Sequence, residues 1–171
     1  KTNITHKIFL KTTCKKADRI IAISDYVAND IIHNFPEVKE KVTMIYDGKK
    51  LFENGLNATE EDCEEYLNKL GIKAKEYLLF VGTLSPRKNA DVIIEGYFRY
   101  RENGGNKKLV LAGNIASKCE NIKQKILNSQ YVDDIVIAGY VTDLQKRILY
   151  YNAAMLLFPS RLEGFGFPLL E

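Results

Sequence analysis

From residue 77 onward the chain alternates between short apolar runs and longer stretches whose apolar residues recur every three or four positions. The runs cover residues 77–81, 108–112, 134–138 and 154–158, and the stretches between them cover 91–101, 117–128 and 143–152. Nearly unbroken apolar runs of this length predict strands buried on both faces, whereas the other spacing predicts amphipathic helices. Alternation of the two forces right-handed crossovers and a parallel sheet, because parallel neighbours cannot be joined by tight turns. The expected fold is therefore α/β, a Rossmann-like parallel sheet with helices on both faces. Such sheets bind ligands beyond the carboxyl ends of their strands. Four loops, 82–89, 113–114, 139–142 and 160–168, should then share one edge.

The upstream third is organised differently. A helix is expected over residues 5–16, with Ile8, Phe9 and Thr12 on one side. Residues 18–24 predict a strand buried on both faces. Ser24 and Asp25 open a helix with Tyr26, Val27, Ile31 and Ile32 as its packed stripe. Pro36 ends that helix, residues 41–46 form a second strand, and Asp47-Gly48 is a turn. Residues 49–58 read as a loop. Thr59 caps a helix whose first turn is acidic, and Gly71 closes it as the residue after the C-cap. These elements divide the chain into residues 1–48, the end of an N-terminal Rossmann-like α/β domain; 49–75, a linker and capping helix; and 76–171, a C-terminal α/β sheet. Both sheets are expected to be incomplete, as pieces of a longer protein or of one completed by a sister chain.

Composition narrows the function classes. With 46% hydrophobic and 27% charged residues, the chain has an ordinary globular balance. A net charge of +3 over 171 residues is too small to indicate a nucleic-acid partner. No apolar run approaches the roughly 18 residues a spanning helix needs. Lys11, Lys15 and Lys16 form a loose cluster that fits either a solvated helix face or peripheral contact with the inner face of a membrane. Cys14, Cys63 and Cys119 are odd in number and lack metal-ligand spacing, which points to free thiols and a cytoplasmic location.

Two segments carry chemistry. In the first rim loop, Arg87 and Lys88 could neutralise a diphosphate, arginine by forking two oxygens and lysine as a point charge. They could also be a solvated basic turn. The second segment is residues 163–171, where Glu163 and Glu171 flank Gly164, Gly166 and Pro168. Glycines there would let main chain approach a ligand, and Pro168 suits the first position of a helix whose N-terminus could face phosphate. Glu171 would lie in the first turn of that helix, as a ribose acceptor or as an ordinary first-turn acid. Glu163 could face a hexose or the leaving diphosphate. In the 139–142 loop, Val141 could offer main-chain groups to a nucleobase, while Thr142 or Asp143 caps the next helix. No Asp-x-Asp occurs, so no metal-held diphosphate and no cofactor are expected. Neither His6 nor His33 has neighbours that suggest a triad.

These residues resemble the retaining GT-B glycosyltransferases of family 4, the group 1 glycosyltransferases. The likeness runs through residues 17–24, 42–48, 80–89, 139–141, 149–153 and 158–171, and the paired glutamates of the last stretch are its most specific part. It implies two Rossmann-like domains, with a nucleoside-diphosphate sugar held mainly by the C-terminal one and a glycan or lipid-linked acceptor. Catalytic roles then fall to Arg87, Lys88 and Glu163. Donor contacts fall to Gly82, Thr83, Val141, Gly164, Phe165, Gly166 and Glu171. Many members carry arginine where this chain has Thr83, which makes Arg87 the candidate second cation. Asp47-Gly48 stands where many have Asn-Gly, a change a turn tolerates. Acceptor groups lie in the family's early N-terminal region, so this stretch alone should be inactive. The rival readings are a non-catalytic glycosyltransferase-like nucleotide-binding or interaction subunit, and a sugar-nucleotide epimerase.

Overall fold

The computed structural model describes residues 2–48 and 58–171, with the side chains of residues 2–7 and of Lys118 excepted. The loop expected over 49–58 lies outside the described residues apart from Ala58. The chain divides into two compact units, one of Lys1–Lys50 with Glu163–Phe167 and one of Leu51–Leu162 with Pro168–Glu171.

In the first unit, helix α1 (Thr2–Lys16) leads to β1 (Ile20–Ala22), α2 (Asp25–Asn34) and β2 (Val42–Met44). The strands pair in parallel, Ile20 opposite Val42 and Ala22 opposite Met44. Ser24 caps α2 by accepting from the Val27 amide at 3.3 Å. Pro36 follows the helix and opens a 3-10 turn, Pro36–Lys41. Lys41 Nζ donates to the carbonyls of Lys15 and Ala17, both at 2.8 Å, and so satisfies acceptors at the end of α1. Cys14, Phe35 and Val38 form the small core.

Two expectations fail here. The strand near residue 21 is not buried on both faces, since Ile21 is 63% exposed, and Tyr26 stands out from the stripe of α2 at 58%. Among the described residues β1 pairs with β2 alone, and an apolar side chain is buried only when a second layer lies over it. The lysine cluster is partly engaged, with Lys15 at 3.3 Å and Lys11 at 4.0 Å from Glu37.

The second unit begins with α3 (Glu60–Lys69) and continues as β3 (Tyr77–Val81), α4 (Ala90–Glu102), β4 (Lys108–Ala112), α5 (Glu120–Leu127), β5 (Ile135–Gly139), α6 (Asp143–Asn152) and β6 (Met155–Leu156). All strands are parallel in the order β5-β4-β3-β6. Alternate residues of the strands face opposite layers. Leu78, Phe80, Leu109 and Leu111 pack with α4 and α5, whereas Tyr77, Leu79, Val110 and Ala112 pack with α3 and α6. Leu67 carries α3 into the second of these layers. Buried Tyr77 donates its hydroxyl to the Leu149 carbonyl at 2.6 Å, tying β3 to α6.

The helix expected over 117–128 opens with a 3-10 turn, Ser117–Cys119, before α5 begins. The strand expected over 154–158 is regular only at Met155 and Leu156, where it pairs with Leu78 and Leu79. Among the described residues no helix is long and apolar enough to cross a membrane.

Candidate functional site at the carboxyl rim

The strand order sets the geometry. From β3 the chain steps outward to β4 and β5, then returns to lay β6 on the other side of β3. β3 and β6 therefore flank the switch point, the crevice where such sheets take ligands, and the loops that follow them meet there.

Arg87 and Lys88 lie in the loop after β3, at this crevice. Lys88 folds back over the strand end: a Cβ placed on Gly82 would lie 3.9 Å from Lys88 Cε. Its ammonium stands 5.2 Å from the Phe158 ring centroid, a distance at which the ring face attracts a cation. Arg87 Nη1 donates across the crevice to the Leu162 carbonyl at 3.2 Å, and the Arg161 amide returns a bond to the Arg87 carbonyl at 2.9 Å. Arg161 Nε also donates to Asn89 Oδ1 at 2.9 Å. Asn89 is the N-cap of α4 in the left-handed conformation, and its side chain makes no capping bond. Its oxygen serves Arg161 instead. Arg161 and Asn89 were not anticipated from the sequence. The available signal was a third cation at the end of the strand that borders the switch point.

Main chain unites the rest of the rim. Gly82 donates its amide to the Ala112 carbonyl at 2.8 Å, Leu84 to Asn114 at 2.9 Å, and Gly113 to Gly139 at 2.7 Å. Gly113 must be glycine: at φ +142° an added Cβ would meet the Gly82 carbonyl oxygen at 2.2 Å. Because the Gly82 amide is engaged, that residue can offer a ligand close approach but not its N–H. Thr83 is exposed beside it. Val141 packs its side chain toward the layer of α3 and α6, which leaves main chain for any contact with a base. Thr142 is a cap: its hydroxyl accepts from the Gln145 amide at 3.3 Å, and Gln145 Oε1 accepts from the Thr142 amide at 2.9 Å.

Phe167–Leu169 is a 3-10 turn with Pro168 as its second residue, and Glu171 follows it. Both carboxylate oxygens are engaged on α6. Lys146 Nζ donates to Oε1 at 2.6 Å and the Tyr150 hydroxyl to Oε2 at 3.1 Å. Burial pushes the Tyr150 phenol up, and the charge of Glu171 pushes it further. It is a hydrogen-bond donor throughout the working pH range.

The glycine turn Glu163–Phe167 groups with the first unit. Ser24 Oγ donates to the Gly164 carbonyl at 2.6 Å while capping α2. A Cβ on Gly164 would lie 3.1 Å from Ile23 Cδ1, so packing as well as ligand approach favours glycine there. Phe165 faces Tyr46, ring centroids 6.0 Å apart, and Phe167 at 5.2 Å; Gly166 is buried at φ +91°. Glu163 is half-buried.

A cavity of about 530 Å³ lies between β3, β6 and α4 and reaches the rim at Phe158, lined by Leu78, Tyr97, Tyr100, Leu157 and Phe158 among others. Its walls are apolar and lack the charged groups of the rim. Among the described residues no three His, Cys, Asp or Glu side chains gather as metal ligands would.

Residues 62–171 match the family described as Glycosyl transferases group 1. Over 165 residues, 95% of this chain, the sequence is 27% identical to O-antigen chain mannosyltransferase B of Escherichia coli. Over 166 residues, 96% of the chain, it is 25% identical to O-antigen chain mannosyltransferase RfbU of Salmonella typhimurium. It spans 42% of the length of each. The crystal structure of Anabaena Alr3699/HepE in complex with UDP and glucose shares the fold, with a TM-score of 0.73 and 16% identity over 95% of this chain and 44% of that one.

Proposed function

The chain belongs to the group 1 glycosyltransferases, and from that premise we propose that its protein moves a sugar from a nucleoside-diphosphate sugar to a glycan or lipid-linked acceptor, with retention at the anomeric carbon and without a metal ion. The observation that carries this reading is the placement of Lys88 over the carboxyl end of β3, with Arg87 drawn across the same crevice to Leu162. A departing diphosphate develops negative charge as the bond to the sugar breaks. Fixed cations at that point stabilise the transition state more than the ground state.

In this reading Arg87 and Lys88 receive the diphosphate and Glu163 orients the transferred sugar. Glu171 accepts from ribose hydroxyls. Gly82 and Thr83 let the phosphates approach the strand end, Val141 meets the base through its main chain, and Gly164, Phe165 and Gly166 line the sugar with main-chain groups. For retention, the acceptor hydroxyl attacks from the face the diphosphate leaves, and the leaving oxygen takes its proton. The O-antigen chain mannosyltransferase relatives support a polysaccharide acceptor.

The test is a panel of UDP-, GDP- and ADP-sugars offered to the full protein with lipid-linked and free glycan acceptors. Thermal shift identifies the carrier, since a ligand of the folded state raises its melting temperature. Anomeric configuration of the product is then read by NMR, with and without EDTA. Transfer with retention in EDTA is expected. An inverted product would remove the front-face route, loss of activity in EDTA would remove metal independence, and no nucleotide binding at all would overturn the assignment.

A further inference from the structure

Glu171 is held more firmly than a ligand-binding glutamate on a turn would be by its own backbone. Its side chain has three rotatable bonds, and freezing them costs entropy at the moment of binding. Here one donor grips each oxygen, from Lys146 at 2.6 Å and Tyr150 at 3.1 Å. The two donors stand four residues apart and so project from one face of α6. That helix is itself fixed: a capping box closes its start, Ile148 and Leu149 are buried, and the Tyr77 hydroxyl holds the Leu149 carbonyl at 2.6 Å. The Lys146 and Glu171 side chains are 21% and 22% exposed, which shields the pair from solvent while leaving access for a ligand. Lys146 also stands 3.8 Å from Asp143 Oδ1, a longer contact with a side chain that is 91% exposed.

We propose that Lys146 and Tyr150 are positioning residues that preset the Glu171 carboxylate for a vicinal diol, and thereby make this site prefer ribonucleoside over 2′-deoxyribonucleoside diphosphates. The inference rests on Glu171 facing the ribose. Each carboxylate oxygen has two acceptor directions, of which the α6 donors use one. The remaining two match a pair of hydroxyls. A 2′-deoxy sugar fills only one and leaves the other acceptor desolvated without a donor, which is costly. Without the grip of α6, the carboxylate can turn to serve a single hydroxyl or water, and the penalty against the deoxy sugar falls.

The experiment is calorimetric titration of the full protein with whichever of UDP, GDP and ADP binds most tightly, and with its 2′-deoxy analogue. Wild type should favour the ribonucleotide by about tenfold or more, the scale of one hydrogen bond to a charged group. Glu171→Gln comes first: it should collapse that ratio, and a retained ratio, or the lack of any preference in wild type, would overturn both the ribose reading and this inference. Given that collapse, Lys146→Met should bring the ratio to within about threefold of unity, Tyr150→Phe should lower it by about threefold, and Lys146→Arg should preserve it, the order expected for one charged and one neutral donor. If Glu171→Gln abolishes discrimination while Lys146→Met and Tyr150→Phe keep it, Glu171 stays at the ribose and the positioning role is wrong. An equal loss of affinity for both nucleotides in those variants, with the ratio unchanged, would mark a structural role and overturn the inference too.

Discussion

Two charged clusters at the rim of the second unit are built on different principles. At the crevice between β3 and β6, main chain shares the joining with side chains. The Arg161 amide meets the Arg87 carbonyl, Arg87 reaches the Leu162 carbonyl, and glycine amides link neighbouring strand ends. Along one face of α6, side chains meet side chains, Lys146 and Tyr150 on Glu171. Main-chain bonds survive most substitutions, so the crevice should keep its shape when a side chain is lost. The α6 cluster depends on residue identity, so it should lose its geometry with a single change.

The largest effect should come from removing chemistry without disturbing shape. Lys88→Ala is expected to lower kcat/KM for the donor by about 10²–10³ in the full protein, the usual cost of one preorganised charge stabiliser. Steady-state kinetics with unchanged thermal unfolding would bear out the split between cation and scaffold, and a change below about threefold would move the charge stabilisation to another group.

Breaking the scaffold itself needs a backbone clash. Gly113→Ala places a Cβ 2.2 Å from the Gly82 carbonyl oxygen at φ +142°. A loss of about 2–3 kcal/mol in urea-monitored stability is expected. An unchanged midpoint would show that main chain does not hold the rim.

Arg161→Ala sharpens the contrast. It removes the bond to Asn89 but keeps the amide bond to Arg87. About 1 kcal/mol, seen as roughly a fivefold rise in donor KM, is the expected size for one side-chain bond on an intact backbone. A loss as large as that of Lys88→Ala would mean the crevice is held by side chains after all.

The smallest effect concerns pH. The N-terminus of α3 is closed by Thr59 and Asp62, that of α6 by Thr142 and Gln145. Only the first can titrate. The Asp62 carboxyl lies below its ordinary value, chiefly because the Thr59 amide donates to it and then because the Thr59 hydroxyl does. A depressed folded-state pKa means the stabilisation is present above the ordinary carboxylate value and is lost as pH falls through the lowered one. The protection of first-turn amides of α3 against exchange, relative to their intrinsic rates, should therefore fall on acidification below about pH 4. In Asp62→Asn that fall should vanish, and the first turn of α6 should not show it. Acid-independent protection in wild-type α3 would count against the carboxylate as the cap.

What could be read from residues alone follows a pattern. The helix expected over 143–152 is found as Asp143–Asn152, and the strands at 77–81 and 108–112 are found with those bounds. Thr59, Thr142 and Gly71 act where expected. Each of these signals is local, a cap or a run with its own period. Ile21 and Tyr26 were misjudged because burial depends on a neighbouring layer that no short segment announces. Within the site, Arg87 and Lys88 were legible because the loop after the first strand of such a sheet must lie at its carboxyl rim. The pairings around the rim were not: Arg87 meets Leu162 across 75 positions, Arg161 meets Asn89 across 72 and Lys146 meets Glu171 across 25.

Alternating apolar periods determined, without any coordinates, that residues 77 onward form a parallel α/β sheet and which edge of it carries the loops, because side-chain burial and hydrogen-bond closure leave few other ways to satisfy such a pattern. Which charges meet was decided only by tertiary structure. A hydrogen bond depends on ångström-scale placement of groups distant in sequence, and strand order, loop path and helix rotation set that placement together.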